Sequence, residues 1–482
     1  MPRLRPLWLL ATLTLVAAAC GDDGAPATPD ADTTPPADAD GRDILVRLGD
    51  LPGLVSATEQ PTDHPGYRRF DIRLEQLVDH GDAAGQTFTQ QMTLLHHDDT
   101  APMVLVSTGY WNYYGDGLSE LATVLHANQL VVEHRYFASS RPDPADWSFL
   151  TIEQAAADHH VITEAFKRIY HAAWLATGAS KGGMTSVYHR RFWPDDVDGT
   201  VPYVAPQSFG APDYGYDAFV DAVGTPTCRQ ALEDLEVEIL TNRRAAMEQR
   251  ATQQAATDGW TYGRVAVGPA VESAVVSLYW AFWQYYGIGY CDAVPATTAS
   301  DDAVWQFLDA ISGVNSSSDQ YASAFEAYYF QAAYQLGYPG TVDDYLDGLL
   351  LYGDADYAGI YPVSVDLPAF DAPAMHDVDD WLEADGSRLL FVYGEWDPWS
   401  GGRFPLGDAT DSLSLTVAEG THGADLSSLD ADDRAAAAAR LEAWTGVTPD
   451  FAAAKRQPAA LRPPPPPRPP AALLQALRLR GR

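Results

Sequence analysis

The sequence predicts an α/β fold in which a mostly parallel sheet is interrupted by a large helical insertion. Short apolar runs alternate with segments of helical periodicity up to about residue 206. Long, aromatic-rich helical segments follow without a clear strand, and the strand pattern returns after residue 380. Such alternation of short apolar strands with helices is typical of a parallel sheet covered on both faces.

The elements can be justified in chain order. The segments YRRFDIRLEQLVDH and QTFTQQMTLLHHDD alternate apolar and polar residues and end in turn residues, which predicts two strands. Four apolar runs follow, within APMVLVSTGYW, NQLVVEHRYF, AWLATG and GTVPYVAP. Between the second and third runs, residues 151–170 have helical spacing and begin at Thr151, a plausible helix cap. Two further strand patterns, SRLLFVYGEWD and SLSLTVAEGTHG, precede the closing helix DADDRAAAAARLEAWTG.

These patterns divide the chain into six predicted segments. They are a signal peptide (1–19), an acidic disordered tether (20–42), the first part of the sheet core (43–206), a helical cap (207–380), the second part of the core (381–450) and a basic, proline-rich tail (451–482).

The N-terminal segment MPRLRPLWLLATLTLVAAAC has two arginines, an apolar run and then small residues, which is typical of a secretory signal. It ends at Cys20, and it looks like the signal of a bacterial lipoprotein, whose cysteine is acylated after cleavage. Ala17 departs from that pattern, which usually has leucine three residues before the cysteine. The alternative is an ordinary signal peptide with a chance cysteine. We therefore expect an exported, lipid-anchored protein of the cell envelope, with free secretion as the alternative.

The net charge of the chain limits the kinds of partner that it can bind. With 66 acidic and 30 basic side chains the formal net charge is −36, which argues against nucleic-acid binding because phosphate contacts need a basic face. No internal apolar stretch reaches the ~18 residues of a membrane span. We expect membrane attachment only through Cys20, and the sequence leaves the oligomeric state open.

Beyond Cys20 the chain has two cysteines, Cys228 and Cys291, both within the predicted cap. In an exported protein an isolated pair is most simply a disulfide, and two buried free thiols are the alternative.

The candidate nucleophile is Ser180, in Gly178-Ala179-Ser180-Lys181-Gly182. This G-x-S-x-G motif follows a predicted strand and precedes a predicted helix, the context in which a sharp turn exposes the serine above the sheet of an α/β hydrolase. The flanking glycines remove side chains that would obstruct the turn. The sequence therefore predicts an α/β-hydrolase-like core with a large helical cap.

A serine hydroxyl needs an imidazole base that is held by a carboxylate. Asp397 follows one of the late strands, and His422 follows the next, which is the Ser–acid–His order of this fold class. We predict these residues as acid and base, with Glu395 as the alternative acid. An ordinary turn aspartate is the structural alternative for Asp397.

The oxyanion hole needs two N–H donors. We expect one from the backbone of Lys181, whose side chain should face solvent, and one from Tyr110 or its neighbour. The sequences HHDD and DHH do not form a closed metal-ligand set, so we predict neither a metal nor a cofactor.

Four blocks together carry a family resemblance. EHRYFASSRPDPADWSFLTIEQAAADHH, TGASKGGMTSVYHRRFWPDDVDGTVPYVAP, YGEWDPWSGG and THGADL resemble the bacterial secreted tripeptidyl aminopeptidases that prefer proline. Those are serine exopeptidases and distant relatives of the prolyl carboxypeptidases. The likeness spans about residues 43–447 and includes the segments around both cap cysteines. It implies the same nucleophile, acid and base, and it does not include the tether or the tail.

The resemblance also implies the substrate, a peptide with a free N-terminus from which a tri- or tetrapeptide is released, often after proline. Such an exopeptidase needs a carboxylate for the substrate ammonium, and Glu133 at a strand end is a candidate. The alternative for Glu133 is a structural ion pair with Arg135 or another base. Tyr328 and Tyr329 are candidates for a flat proline pocket, with packing inside the cap as the alternative.

Two other function classes stay open at this level. One is an esterase or lipase with the same triad, which would need no ammonium anchor. The other is a catalytically silent, surface-binding lipoprotein.

Overall fold

A computed structural model of the protein describes residues 41–340, 344–363 and 365–456, and within them nine strands form one sheet. The strands, in chain order, are β1 (Leu54–Gln60), β2 (Arg68–Leu77), β3 (Thr87–His96), β4 (Met103–Ser107), β5 (Asn128–Val132), β6 (Trp174–Ala179), β7 (Gly199–Tyr203), β8 (Leu390–Gly394) and β9 (Leu413–Val417).

The helices surround this sheet or lie between β7 and β8. They are, in chain order, α1 (Ile44–Leu48), α2 (Glu120–Leu125), α3 (Ile152–Phe166), α4 (Lys181–Phe192), α5 (Asp217–Val220), α6 (Pro226–Glu238), α7 (Arg244–Asp258), α8 (Val267–Val276), α9 (Leu278–Tyr285), α10 (Asp301–Ile311), α11 (Asp319–Gln331), α12 (Asp354–Tyr357), α13 (Ala372–Asp385), α14 (Ala431–Thr445) and α15 (Phe451–Arg456).

The sheet combines a parallel part and an antiparallel part, in the order β1-β2-β3-β5-β4-β6-β7-β8-β9. From β5 to β9 all neighbours are parallel. Every residue of β4, β5 and β8 is buried, as expected for strands covered by helices on both faces. The predicted α/β architecture is therefore confirmed, and the carboxyl ends of the parallel strands share one edge.

The three N-terminal strands extend the sheet in antiparallel fashion, and β3 joins β5. Along β2 the apolar residues Phe70, Ile72 and Leu74 are fully buried, while alternate residues are more exposed. Opposite Ile72 on β3 lies Met92, which is also buried. This alternation places one face of the ribbon on the core, as the period of two in the sequence requires.

Helix α3 follows the predicted cap and apolar face. The Thr151 hydroxyl accepts a hydrogen bond from the Gln154 N–H over 3.2 Å, which satisfies one of the free donors at the helix start. On the helix, Ile152, Ile162 and Phe166 are buried against the core. Periodicity in the sequence is thus sufficient to orient this helix.

Between β7 and β8 the described residues contain helices and no further strand, in agreement with a helical cap. The cap has its own hydrophobic core, in which Leu232 and Leu235 of α6 pack with Phe282 and Trp283 of α9. Cys228 and Cys291 form a disulfide within this unit, with their Cα atoms 5.5 Å apart.

Two boundaries differ from the predicted ones, namely the end of the cap at residue 380 and the end of the second part of the core at residue 450. Helix α13 crosses residue 380, and its Met375 and Leu382 pack with Val187 of α4, so α13 covers the sheet and does not belong to the cap core. Helix α15 begins where the tail was predicted. The Asp450 N–H donates to the Val124 carbonyl over 2.8 Å, and Phe451 packs on the core cluster beside the sheet.

Several predictions concern residues outside the described part of the chain. These are the signal peptide, lipidation at Cys20, almost all of the tether, and the tail beyond residue 456. Among the helices in the described ranges, none has the length and apolar character needed to cross a membrane.

We expect the double variant Cys228→Ala/Cys291→Ala to unfold at lower denaturant concentration than the wild type. A crosslink over 63 residues restricts the unfolded chain and contributes about 2–4 kcal/mol. Reductant should lower the wild-type midpoint to that of the variant and leave the variant unchanged. Equal midpoints for both proteins in oxidising buffer would contradict the prediction.

Candidate active site

Ser180 occupies a sharp turn between β6 and α4. Its φ of 56° and ψ of −127° lie in a region that non-glycine residues rarely adopt, and such strain is concentrated at functional sites. The Ser180 N–H donates to the Tyr203 carbonyl over 2.9 Å, and its own carbonyl accepts from the Met184 N–H, also over 2.9 Å. The turn is therefore held by β7 on one side and by the first helical hydrogen bond on the other.

Glycine is required on both sides of this turn. A Cβ atom at Gly182 would lie 2.2 Å from the Ser107 carbonyl oxygen, and one at Gly178 would lie 2.3 Å from the Gly182 carbonyl carbon. Since these neighbours are backbone atoms, they cannot rotate away. The G-x-S-x-G glycines thus allow β4, β6 and α4 to meet directly beneath the serine.

Two neighbouring loops bring Asp397 and His422 together. The loop after β8 is hydrogen-bonded to the loop after β9 through the Trp396 N–H and the Gly420 carbonyl, 2.9 Å apart. Asp397 Oδ2 then lies 2.7 Å from His422 Nδ1, and Asp397 Oδ1 accepts from the Trp399 N–H over 3.2 Å. Both side chains are buried, and His422 Nε2 has no hydrogen-bond partner in the described residues. This geometry fixes the ring and leaves Nε2 available to exchange a proton.

Glu395, the alternative acid, is directed elsewhere. It is exposed, and its Oε2 accepts from the Glu419 N–H over 2.7 Å. His422 Nδ1 is hydrogen-bonded to Asp397 Oδ2 and not to Glu395, so the structure favours Asp397 over Glu395.

Ser180 and His422 lie at the same edge of the sheet, since β6 to β9 are parallel and each residue follows a carboxyl end. Tyr110, after β4, lies beside Ser180, because β4 is the neighbour of β6 on the side away from β7. Burial raises the pKa of Tyr110 strongly, its neighbours Tyr328 and Tyr285 add to that rise, and a hydrogen bond with the Ser180 side chain opposes it. The Tyr285 ring lies 6.3 Å from the His422 ring.

The predicted oxyanion donors occupy different environments. Lys181 is the first residue of α4, so its N–H has no acceptor within the helix. The Tyr110 N–H makes a long hydrogen bond, 3.3 Å, to the Thr108 hydroxyl. The structure thus places the Lys181 N–H directly after Ser180 and the Tyr110 N–H in the adjoining turn.

The prediction that the Lys181 side chain faces solvent is wrong. Only 2% of the residue is exposed, and Nζ donates to the Gly109 carbonyl over 2.7 Å. Nζ also lies 5.7 Å from the Tyr110 ring centre and 5.2 Å from that of Phe137. Burial holds the pKa of this amine well below its ordinary value. This burial could not be predicted from the sequence, because a lysine in the first turn of a helix at the sheet edge is usually solvated.

Glu133 does not fit the role of ammonium anchor. Its Oε1 accepts from the N–H and hydroxyl of both Ser139 and Ser140 over 2.8–3.1 Å, and its Oε2 accepts from the Asn112 N–H over 3.0 Å. Burial raises its pKa, and these hydrogen bonds oppose the rise. Glu133 does not form the alternative ion pair with Arg135 either. The Arg135 guanidinium instead donates to Asp158 over 2.8 Å. Glu133 instead fastens the loop after β5 to the loop after β4.

Tyr328 and Tyr329 lie on α11, where the cap meets the core. The Tyr328 ring centre is 5.8 Å from that of Tyr110 and 5.5 Å from that of Tyr329. Both are partly buried and pack on a cluster that contains Tyr110 and Phe325. Their positions are compatible with both predicted roles. They pack at the edge of the cap, and Tyr328 also contacts Tyr110, which faces Ser180.

Glu120, at the start of α2, is a site residue that the sequence analysis missed. Its Oε1 accepts from the Ser427 N–H over 2.8 Å and from the Ser427 hydroxyl. Its Oε2 accepts from the Leu426 N–H and the Tyr203 hydroxyl, each over 3.0 Å. Glu120 therefore connects the loop that follows His422 to Tyr203, whose carbonyl holds the Ser180 N–H. No sequence pattern predicts this role, because the four donors come from segments that are far from Glu120 in the chain.

In the described part of the chain, no three or more His, Cys, Asp or Glu side chains are arranged to hold a metal ion.

Burial and the neighbouring Asp425 raise the pKa of Glu120 from 4.5 to about 7. A raised carboxyl pKa stabilises the fold below the unfolded-state pKa, and this contribution is lost as pH rises through the folded-state value. We expect the unfolding free energy of the wild type, minus that of Glu120→Gln, to fall between pH 4.5 and 8. Denaturant titrations across this range measure it, with the exposed Glu164→Gln as control. A constant difference for Glu120→Gln would contradict the prediction.

Comparison with known proteins assigns the chain to a family. The family model described as PS-10 peptidase S37 matches residues 37–466. Prolyl tri/tetrapeptidyl aminopeptidase of Streptomyces mobaraensis is 41% identical over 413 residues, 84% of this chain and 86% of that protein.

More distant similarity is confined to part of the chain. Lysosomal Pro-X carboxypeptidase of Mus musculus is 30% identical over 185 residues, 34% of this chain and 38% of that protein. Prolyl carboxy peptidase like protein 5 of Caenorhabditis elegans is 27% identical over 191 residues, 35% and 36% of the two chains. The resemblance found in the four sequence blocks is confirmed. The chain belongs to the peptidase S37 family and is a serine peptidase.

Proposed function

We propose that the protein is an exported aminopeptidase that releases N-terminal tri- or tetrapeptides, preferentially after proline, with Ser180, His422 and Asp397 as its triad. The observation that carries the triad is the 2.7 Å contact between Asp397 and His422 at the sheet edge where Ser180 is held in its strained turn. The family membership supports the chemistry. The esterase and silent-lipoprotein alternatives lose support, because the family is one of peptidases.

The first half of the proposed reaction forms an acyl-enzyme. Ser180 Oγ attacks the scissile carbonyl while His422 Nε2 takes the hydroxyl proton, and Asp397 keeps the imidazole in the tautomer with Nδ1 protonated. The negative charge that develops on the carbonyl oxygen is stabilised by the Lys181 N–H and by an N–H of the turn at Tyr110. His422 then gives its proton to the leaving amine.

The second half releases the peptide. Water enters, His422 Nε2 accepts its proton, and the hydroxide attacks the ester carbonyl of the acyl-enzyme. Collapse of the tetrahedral intermediate breaks the bond to Ser180 Oγ, which regains its proton from His422. No metal or cofactor has a role in these steps.

The proposed substrate preference rests on the cap and on the relative's name. A relative that is 41% identical to this chain is named prolyl tri/tetrapeptidyl aminopeptidase. Tyr328 and Tyr329 offer flat aromatic faces beside Tyr110, which suit the ring of a proline residue. The cap lies between β7 and β8 in the chain, and we propose that it limits how far the substrate extends on its N-terminal side. Glu133 is engaged with its own loop, so other cap or core groups bind the ammonium.

Export and location are part of the same proposal. The N-terminal sequence supports secretion followed by lipidation of Cys20, which would make the protein a cell-envelope peptidase held by an acidic tether. Its partners would be peptides with a free N-terminus, and its net charge of −36 does not favour nucleic acid.

We expect Ser180→Ala to abolish peptide hydrolysis without loss of folding, because loss of the nucleophile of a triad costs on the order of a million-fold in kcat. The assay is turnover of a peptide with proline at the scissile bond, with circular dichroism to check folding. A fluorophosphonate probe should label the wild type and not the variant. Near-normal turnover by Ser180→Ala would remove this serine from the mechanism.

We expect N-acetylation of an X-X-Pro-X peptide to lower kcat/KM by roughly 100-fold or more. The acetyl group removes the charge that the site binds, and loss of a charged hydrogen-bonded contact costs ~3 kcal/mol. Free and acetylated peptides are compared at equal concentration by mass spectrometry. Glu133→Gln serves as a control, since it should lower both rates by the same factor. Equal cleavage of both peptides by the wild type would contradict the exopeptidase proposal.

A further inference from the structure

The residue after the nucleophile carries a buried amine that the proposed mechanism does not use. Lys181 Nζ lies 5.7 Å from the Tyr110 ring centre and 5.2 Å from that of Phe137, and it donates to the Gly109 carbonyl over 2.7 Å. Within the described ranges no carboxylate forms an ion pair with it. A buried amine without a carboxylate is costly, so its retention here calls for a specific contact.

We infer that Lys181 is a positioning residue that orients the Gly109–Tyr110 peptide of the oxyanion turn. This inference rests on the proposed function, because it presupposes that Ser180 is the nucleophile. In a trans peptide the C=O and the following N–H point in opposite directions across one rigid plane. When Lys181 Nζ binds the Gly109 oxygen, it therefore fixes the direction of the Tyr110 N–H.

The surroundings of the turn make this contact effective. Gly109 has a φ of +73°, and a Cβ atom there would lie 2.5 Å from the Gly182 N and 2.7 Å from the Lys181 carbonyl carbon. The turn thus rests directly on the first residues of α4 and has no side chain of its own at that point. On the other side, the Thr108 hydroxyl donates to the Tyr110 carbonyl over 2.7 Å and accepts the long 3.3 Å hydrogen bond from the Tyr110 N–H. Lys181 and Thr108 hold the same short turn from two directions.

One residue then controls both oxyanion donors. Lys181 supplies the first donor with its own N–H, and its side chain fixes the peptide that carries the second. A displacement of about 1 Å in such a donor can cost on the order of 100-fold in rate, because the donors act on charge that develops only in the transition state. Ground-state binding of the peptide depends on other contacts of the cap and core.

The test is Lys181→Met, which keeps the length and apolar stem of the side chain and removes the amine. We expect kcat to fall 10- to 100-fold, KM to stay within about two-fold of the wild type, and the melting temperature to be maintained or raised. The rate of fluorophosphonate inactivation should fall in parallel with kcat, because the phosphonyl oxygen uses the same donors. Lys167→Met, the same change at a lysine outside the site, should leave all four quantities unchanged.

Three outcomes would overturn the inference. The first is an unchanged kcat, and the second is a rise in KM that accounts for the lost activity. The third is a fall in melting temperature large enough for loss of folded protein to explain the fall in kcat. Should the methionine variant fail to fold, Lys181→Gln, which keeps a hydrogen-bond donor on a shorter stem, and Lys181→Arg are measured in the same way. The inference then requires partial recovery of kcat with wild-type KM in at least one of them, and absence of recovery in both contradicts it.

Ser180→Ala, assayed beside these variants, separates this inference from the proposed function. Activity in both Ser180→Ala and Lys181→Met would refute the triad itself. An inactive Ser180→Ala with a fully active Lys181→Met would refute only the role of the lysine.

Discussion

The site depends on a steric constraint, the close contact of three backbone segments beneath Ser180. A side chain at Gly182 would meet the Ser107 carbonyl, one at Gly178 would meet the Gly182 backbone, and one at Gly109 would meet the Gly182 N. Because β4, β6 and α4 approach without side chains, the serine is raised above the sheet edge and the helix start lies directly under it. The strained dihedrals of Ser180 and the position of the turn at Gly109 and Tyr110 are consistent with this close contact.

Around this contact, buried polar groups hold the loops that complete the site. Asp397 orients His422, and Glu120 connects the loop after His422 to Tyr203. Glu133 joins the loops after β4 and β5, and Lys181 binds the Gly109 carbonyl in the loop after β4. Each group is hydrogen-bonded to the segments that it joins, so the cost of its burial is offset only when the loops adopt this arrangement. Such groups therefore favour one arrangement of the loops. From the cap, Tyr328 lies beside Tyr110 and Tyr285 lies beside His422.

Sequence periodicity was sufficient for the parts of the fold that one segment determines. The apolar runs at β4 and β6, the cap of α3 at Thr151 and the strand–serine–helix turn all depend on local residues. The roles of Glu120 and the side chain of Lys181 could not be predicted, because their partners lie far away in the chain and come from loops without a pattern. The cap boundary differed for a similar reason, since only packing against α4 shows that α13 covers the sheet.

The most direct test of this account is a crystal structure of the protein after reaction with a fluorophosphonate. The account predicts a phosphonyl group on Ser180 Oγ, with one oxygen within hydrogen-bond distance of the Lys181 N–H, His422 still bonded to Asp397, and Lys181 Nζ bound to the Gly109 carbonyl. Phosphonylation of a different serine, or a phosphonyl oxygen directed away from the Lys181 N–H and the Tyr110 turn, would contradict it.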